Sequence, residues 1–143
     1  MDDLYREIII ERFKNPTYRG TLEPNDYTFE DDNPVCGDHI RIDLRTDSDG
    51  IISEAVFSGE GCAISQASAD LLIESIIGKS IDDVKKLNKQ DILDLLGIEL
   101  GVVRLKCALL PLKVLKSGIY GVGKEPDLDN LEYRSLLSDT FWG

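Results

Sequence analysis

Apolar side chains recur along this chain with two periods, and the switches between them outline its elements. Over residues 2–14, Leu4, Tyr5, Ile8, Ile9 and Phe13 fall at helical spacing, with Glu7, Glu11 and Arg12 elsewhere on the wheel. Asn15-Pro16 ends this helix, because the residue before a proline is pushed out of the α region. Thr17 to Asn25, with Gly20 and Pro24, reads as a loop, and Tyr27-Thr28-Phe29 as a short strand. From Cys36 the period drops to two. Ile40, Ile42 and Leu44 alternate with His39, Arg41, Asp43 and Arg45, the pattern of a half-buried strand. Asp47-Ser48-Asp49-Gly50 carries turn chemistry, and Ile51 to Phe57 returns as the second strand of a hairpin.

The helical period then resumes. Ser65, Ala69, Leu72, Ile73, Ile76 and Ile77 share one side, and Gly78 closes the helix. Ser80 is placed to cap a short helix across Ile81 to Leu87. Asn88 is placed to cap the next, with Asp91 three positions on and Gly97 past its end. Proline is accepted in a helix's first turn but not its interior, so Pro111 predicts a helix through Leu112 to Lys116 that begins near residues 107–110. That start would put Cys107 at or beside a helix N-terminus. A last amphipathic helix is predicted from about Leu128 to Leu137, capped by Asp127 or Asp129. The sequence shows no internal repeat, linker or low-complexity segment.

Length and composition narrow the function classes. A chain of 143 residues with 42% apolar and 30% charged residues is expected to form one soluble domain, 1–143, with a real core. No run approaches the roughly 20 apolar residues of a membrane span, and Met1-Asp2-Asp3-Leu4 lacks a signal-peptide layout, so a cytoplasmic location is expected. A net charge of −11 argues against nucleic acid as a partner and suits docking onto basic patches of other proteins. Three cysteines, an odd number, make a disulfide framework improbable and direct attention to metal or thiol chemistry.

The cysteines lie where turn residues and cations gather. Cys36-Gly37-Asp38 opens the first hairpin strand, and Cys36 and Asp38 share its even register. The hairpin folds Cys62, in Gly59-Glu60-Gly61-Cys62, back toward Cys36. Cys62 precedes a helix, whose free N–H groups and dipole favour a thiolate. Cys107 follows Arg104 and Lys106, cations that lower a thiol pKa. Three sulfurs and one oxygen, from Cys36, Cys62, Cys107 and Asp38, suit tetrahedral zinc, and thiolates also suit iron–sulfur clusters. An oxygen ligand among thiolates suggests a site meant to open. His39 has the odd register and is read as an exposed strand residue. The bland readings are buried cysteines packing as small hydrophobes and Asp38 as a turn residue.

Taken together, these segments resemble the iron–sulfur cluster assembly scaffolds of the IscU/SufU/NifU N-terminal family, over nearly the whole chain. Leu4-Tyr5-Arg6 through Phe13-Lys14-Asn15-Pro16 looks like the first helix as the SufU branch writes it. Cys36-Gly37-Asp38 looks like the first ligand pair, and Gly59 through Ser68 like the SufU version of the second ligand segment. Arg104-Leu105-Lys106-Cys107-Ala108 looks like the third. Lys106 stands where the IscU branch has histidine, and no Leu-Pro-Pro-Val-Lys segment precedes Cys107. The stretch before Cys107 is also too short for the SufU insertion.

The resemblance implies an α+β fold: a small, mainly antiparallel three-stranded sheet with helices on one face and the metal site at the sheet edge. It implies a scaffold more than an enzyme, with a sulfur acceptor or transfer activity left open. Such a scaffold takes sulfur from a cysteine desulfurase, builds a transient [2Fe–2S] cluster on Cys36, Cys62 and Cys107, and passes it to apo iron–sulfur proteins. The alternative is a zinc-dependent sulfur acceptor using the same four groups, with Cys107 as candidate persulfide carrier beside Cys36 and Cys62. A structural zinc module without sulfur chemistry is a third reading. A monomer or weak homodimer, with no membrane partner, is expected.

Overall fold

The computed structural model describes residues 2–33, 37–97 and 100–121. The predicted last helix, Leu128 to Leu137, and Cys36 lie outside the described residues. The elements run α1 (Asp2–Lys14), β1 (Tyr27–Asn33), β2 (Asp38–Thr46), β3 (Ile52–Glu60), α2 (Ala63–Ile76), α3 (Ile81–Lys85), α4 (Lys89–Leu96) and α5 (Val102–Gly121).

The three strands form an antiparallel sheet in the order β1-β2-β3. Its register follows from the alternation in β2: Ile40, Ile42 and Leu44 stand opposite Gly59, Phe57 and Ala55, and all three are fully buried. The turn is built by Asp47, whose carboxylate accepts from the N–H groups of Asp49 and Ile51, while Gly50 supplies φ +77°. Both outer strands outrun the lengths their own side chains predict. Glu30 to Asn33 has no apolar alternation, yet it pairs with Arg41 through Asp38, bringing acids opposite Arg41 and His39. Ser58, Gly59 and Glu60 extend β3 because β2 reaches back to supply ladder partners.

α2 packs against β3, and α5 against β1 and β2, so the core lies between these helices and one face of the sheet. α1 packs on α2. Its Arg12 donates to Asp70 (2.9 Å) and Glu74 (2.6 Å), and the fully buried Asp70 also accepts from the Tyr18 N–H at 2.8 Å. These bonds fasten the loop after α1 to α2. α4 has the predicted capping box, with Asn88 and Asp91 exchanging hydrogen bonds of 3.1 and 2.8 Å, and Gly97 is left-handed at φ +69°. α3 is shorter than predicted. It stops at Lys85 because the chain must become extended at the Asn88 cap (φ −132°, ψ 177°).

α5 corrects the prediction drawn from Pro111. The helix starts at Val102, five residues before Cys107, and carries Pro111 in its interior. Proline brings no N–H to the carbonyl four residues back, that of Cys107, and crowds that turn. A tertiary hydrogen bond lands on the next carbonyl. Ser68 of α2, itself buried, donates to the Ala108 carbonyl oxygen at 2.6 Å. Cys107 therefore sits within the helix rather than at its N-terminus.

Candidate metal centre

Cys62 is the N-cap of α2, with extended backbone (φ −72°, ψ 168°) and no side-chain cap for the helix's first N–H groups. Its own N–H donates to Asp38 Oδ1 at 3.0 Å, which ties the start of α2 to the start of β2. The other carboxylate oxygen, Oδ2, lies 3.9 Å from Cys62 Sγ. Ser65 Oγ donates to the Cys62 carbonyl (3.0 Å) and stands 4.0 Å from Sγ. On the outer side, Arg19 bridges the same junction, donating to the Gly59 carbonyl at 2.8 Å and to Gln66 Oε1 at 2.5 Å.

Cys107 completes the group from α5. One ligand atom each from Asp38, Cys62 and Cys107 all lie within 4.8 Å of one another. Asp38 and Cys107 are buried and Cys62 is half-buried. Three of the four predicted ligands thus converge from the beginning of the central strand, the cap of α2 and the second turn of α5. The site sits at the end of the sheet against its helix-covered face. The fourth, Cys36, precedes β2 by two residues. Cys62 has the helix N-terminus that was expected of it. Cys107 does not, because α5 begins five residues before it.

His39 faces away from this group, as its register implies. Its ring nitrogens pair with Asp32 and with Glu30 (3.1 Å) on β1. The hydrogen bond to Asp32 comes first among the influences that raise its pKa; desolvation opposes the rise, and Glu30 adds to it. Sequence reasoning passed over Gly61 and Ser65 as parts of the site. The spacing of Ser65, three residues after Cys62, and the repeated glycine at 59 and 61 were the available signals.

The geometry defines a class: an α+β domain whose central strand and two helices bring a carboxylate and two thiols to one point. The sequence model of the NifU-like N-terminal domain matches residues 4–125, and the chain belongs to that family. It is 39% identical over 137 residues to the zinc-dependent sulfurtransferase SufU of Bacillus subtilis strain 168, covering 83% of this chain and 91% of that protein. It is 31% identical over 118 residues to the iron–sulfur cluster assembly scaffold protein IscU of Escherichia coli K12, covering 80% and 91%. The crystal structure of FiSufU from Fervidobacterium islandicum AW-1 superposes with a TM-score of 0.70 at 29% identity, covering 79% of this chain and 94% of that one. The expected family and three-stranded α+β fold are borne out. No described helix is long and apolar enough to cross a membrane.

Proposed function

We propose that this protein is an iron–sulfur cluster assembly scaffold. It receives sulfur from a cysteine desulfurase, holds a nascent [2Fe–2S] cluster as cargo, and yields it to apo-proteins. The observation that carries this reading is the convergence of Asp38, Cys62 and Cys107 within 4.8 Å. Cys36, two residues before Asp38, is proposed as the third thiolate. Two thiols and a carboxylate at that separation fit a tetrahedral zinc or iron site, and among the described residues no cationic side chain pairs with the buried Asp38 carboxylate, whose charge is costly to bury alone.

Zinc, when resident, holds the thiols deprotonated and keeps the site assembled. The chain's own residues do the rest. The Cys62 N–H holds one Asp38 oxygen, so the carboxylate meets the site through the other. Cys107 is fully buried, which suits a ligand that stays in place. Cys62 is half-buried, so of the described thiols it is the one a sulfur donor reaches. This shifts the persulfide role from Cys107 toward Cys62. An oxygen donor among thiolates is the weakest bond to a soft metal and the first an acceptor thiol displaces.

A second reading, a zinc-dependent sulfur acceptor that never builds a cluster, draws on the B. subtilis relative's name and higher identity, and on Lys106 preceding Cys107. One experiment separates the two. The zinc-free and the zinc-loaded protein are each incubated anaerobically with a cysteine desulfurase, cysteine, ferrous iron and a dithiol that supplies the electrons, beyond those from iron, needed to reduce persulfide sulfur to sulfide. Visible circular dichroism follows any cluster and its passage to apo-ferredoxin. A cluster that forms and transfers supports the scaffold. Persulfide on the zinc-loaded protein with no cluster under any condition establishes the acceptor instead.

A further inference from the structure

Gly59 and Gly61 flank Glu60 and answer to different constraints. Gly59 has φ +124°, and a Cβ there would lie 2.0 Å from the His39 carbonyl oxygen and 2.9 Å from its carbon. Dihedral and obstacle both belong to the backbone, so Gly59 serves the pairing of β2 with β3. Gly61 is not among the glycines with positive φ. Its backbone accepts an alanine. What forbids one is the site: a Cβ at 61 would lie 2.7 Å from Asp38 Oδ1, 2.9 Å from Asp38 Cγ and 2.5 Å from Ser65 Oγ. All three obstacles are atoms of short side chains.

We propose that Gly61 is a positioning residue for the metal centre. The missing side chain lets the Asp38 carboxylate lie against the chain with Oδ1 on the Cys62 N–H, leaving Oδ2 as the single oxygen offered to an ion. The inference rests on reading Asp38, Cys62 and Cys107 as ligands. The two obstructing side chains adjust differently. Ser65 yields by rotating its hydroxyl, at the expense of one bond to the Cys62 carbonyl. Asp38 is nearly fully buried, and it yields only by leaving the Cys62 N–H and carrying Oδ2 away from the thiols. A methyl group at 61 therefore acts on the ligand set while sparing the hairpin. Outer-sphere residues of this kind change metal affinity about 10- to 100-fold when altered.

The test is a double-mutant cycle on zinc affinity, measured by chelator competition, with X-ray absorption reporting the zinc shell. Gly61→Ala should weaken zinc binding roughly 10- to 100-fold and alter the oxygen contribution to the shell. The far-ultraviolet circular dichroism of its metal-free form should stay unchanged. In the Asp38→Ala background the same substitution should weaken binding no further, because its effect passes through the missing carboxylate. Equal weakening in both backgrounds, or wild-type affinity and shell in Gly61→Ala, overturns the proposal. Adding Ser65→Ala to Gly61→Ala should not restore affinity; full restoration would assign the constraint to the serine. If Gly61→Ala alone does not fold, the Asp38→Ala/Gly61→Ala protein must fold and bind as Asp38→Ala does, and its failure also refutes the idea. Lack of zinc binding by the wild type would remove the metal-centre reading and this inference with it. Zinc binding indifferent to position 61 removes this inference alone.

Discussion

Asp43 offers a measurement in which the structure sets both sign and size. It lies on the polar side of β2's alternation, yet its side chain is only 1% exposed. Thr28 donates its hydroxyl to Oδ1 at 2.6 Å, Arg41 its Nε–H to Oδ1 at 2.9 Å, and Leu22 its backbone N–H to Oδ2 at 3.0 Å. One carboxylate thus holds the loop before β1, β1 itself and β2 together. Burial works to raise its pKa, but the bonds from Thr28, Arg41 and Leu22 outweigh it and hold the carboxyl below its ordinary value of 3.8. Asp43→Asn keeps the shape, removes the charge and sets an amide donor against donors. A hydrogen bond to a charged group contributes about 1.5–3 kcal/mol. Arg41 is a third exposed and its share falls toward the surface-pair range of about 0–1 kcal/mol. The expected loss is therefore roughly 2–3 kcal/mol at neutral pH. Because the folded-state pKa is depressed, the stabilisation is fully present above the unfolded value and is lost as pH falls from 3.8 through the folded value. Urea unfolding of metal-free wild type and Asp43→Asn should show a constant gap from pH 7 to about 5, closing below 3.8. A gap below about 0.5 kcal/mol at pH 7, or one that widens in acid, would refute this account of the carboxylate.

Four further outcomes follow from three other contacts. Asp70→Ala strips the buried partner from Arg12 and the Tyr18 N–H and should cost about 3–5 kcal/mol in denaturant unfolding; a loss under 1 kcal/mol would show the clasp is incidental. His39 should titrate above 6.5 by NMR, and Asp32→Asn should lower that value; its contribution to stability is present at low pH and lost as pH rises through the raised pKa. His39→Ala should leave zinc affinity unchanged, since the ring pairs with β1 rather than the thiols. A Cβ at Gly118 would lie 2.1 Å from the Phe29 ring, so Gly118→Ala should force β1 and α5 apart and lower the melting temperature, while an unchanged midpoint would mean the ring moves freely aside.

Local pattern was enough for the elements whose causes are local. The alternation of Ile40, Ile42 and Leu44 determined the strand, its register and its buried face, and the Asn88–Asp91 box with Gly97 determined both ends of α4. That Asp38, Cys62 and Cys107 belong together was legible too, because cysteines beside turn glycines or cations and an aspartate in strand register are unusual neighbours. Tertiary structure decided whatever depends on partners distant in sequence. Pro111 reads locally as a helix start, but α5 runs through it, with Ser68 supplying a hydrogen bond to the neighbouring Ala108 carbonyl from across the core. Because α5 starts at Val102, Cys107 lies in a buried second turn rather than at a helix end. The acidic half of β1 is a strand only because β2 lies beside it. Gly61 looks like loop punctuation in the sequence; in the fold its missing side chain is the space that Asp38 occupies. Periodicity reports how one segment meets water, whereas these features depend on which other segment fills the space beside it.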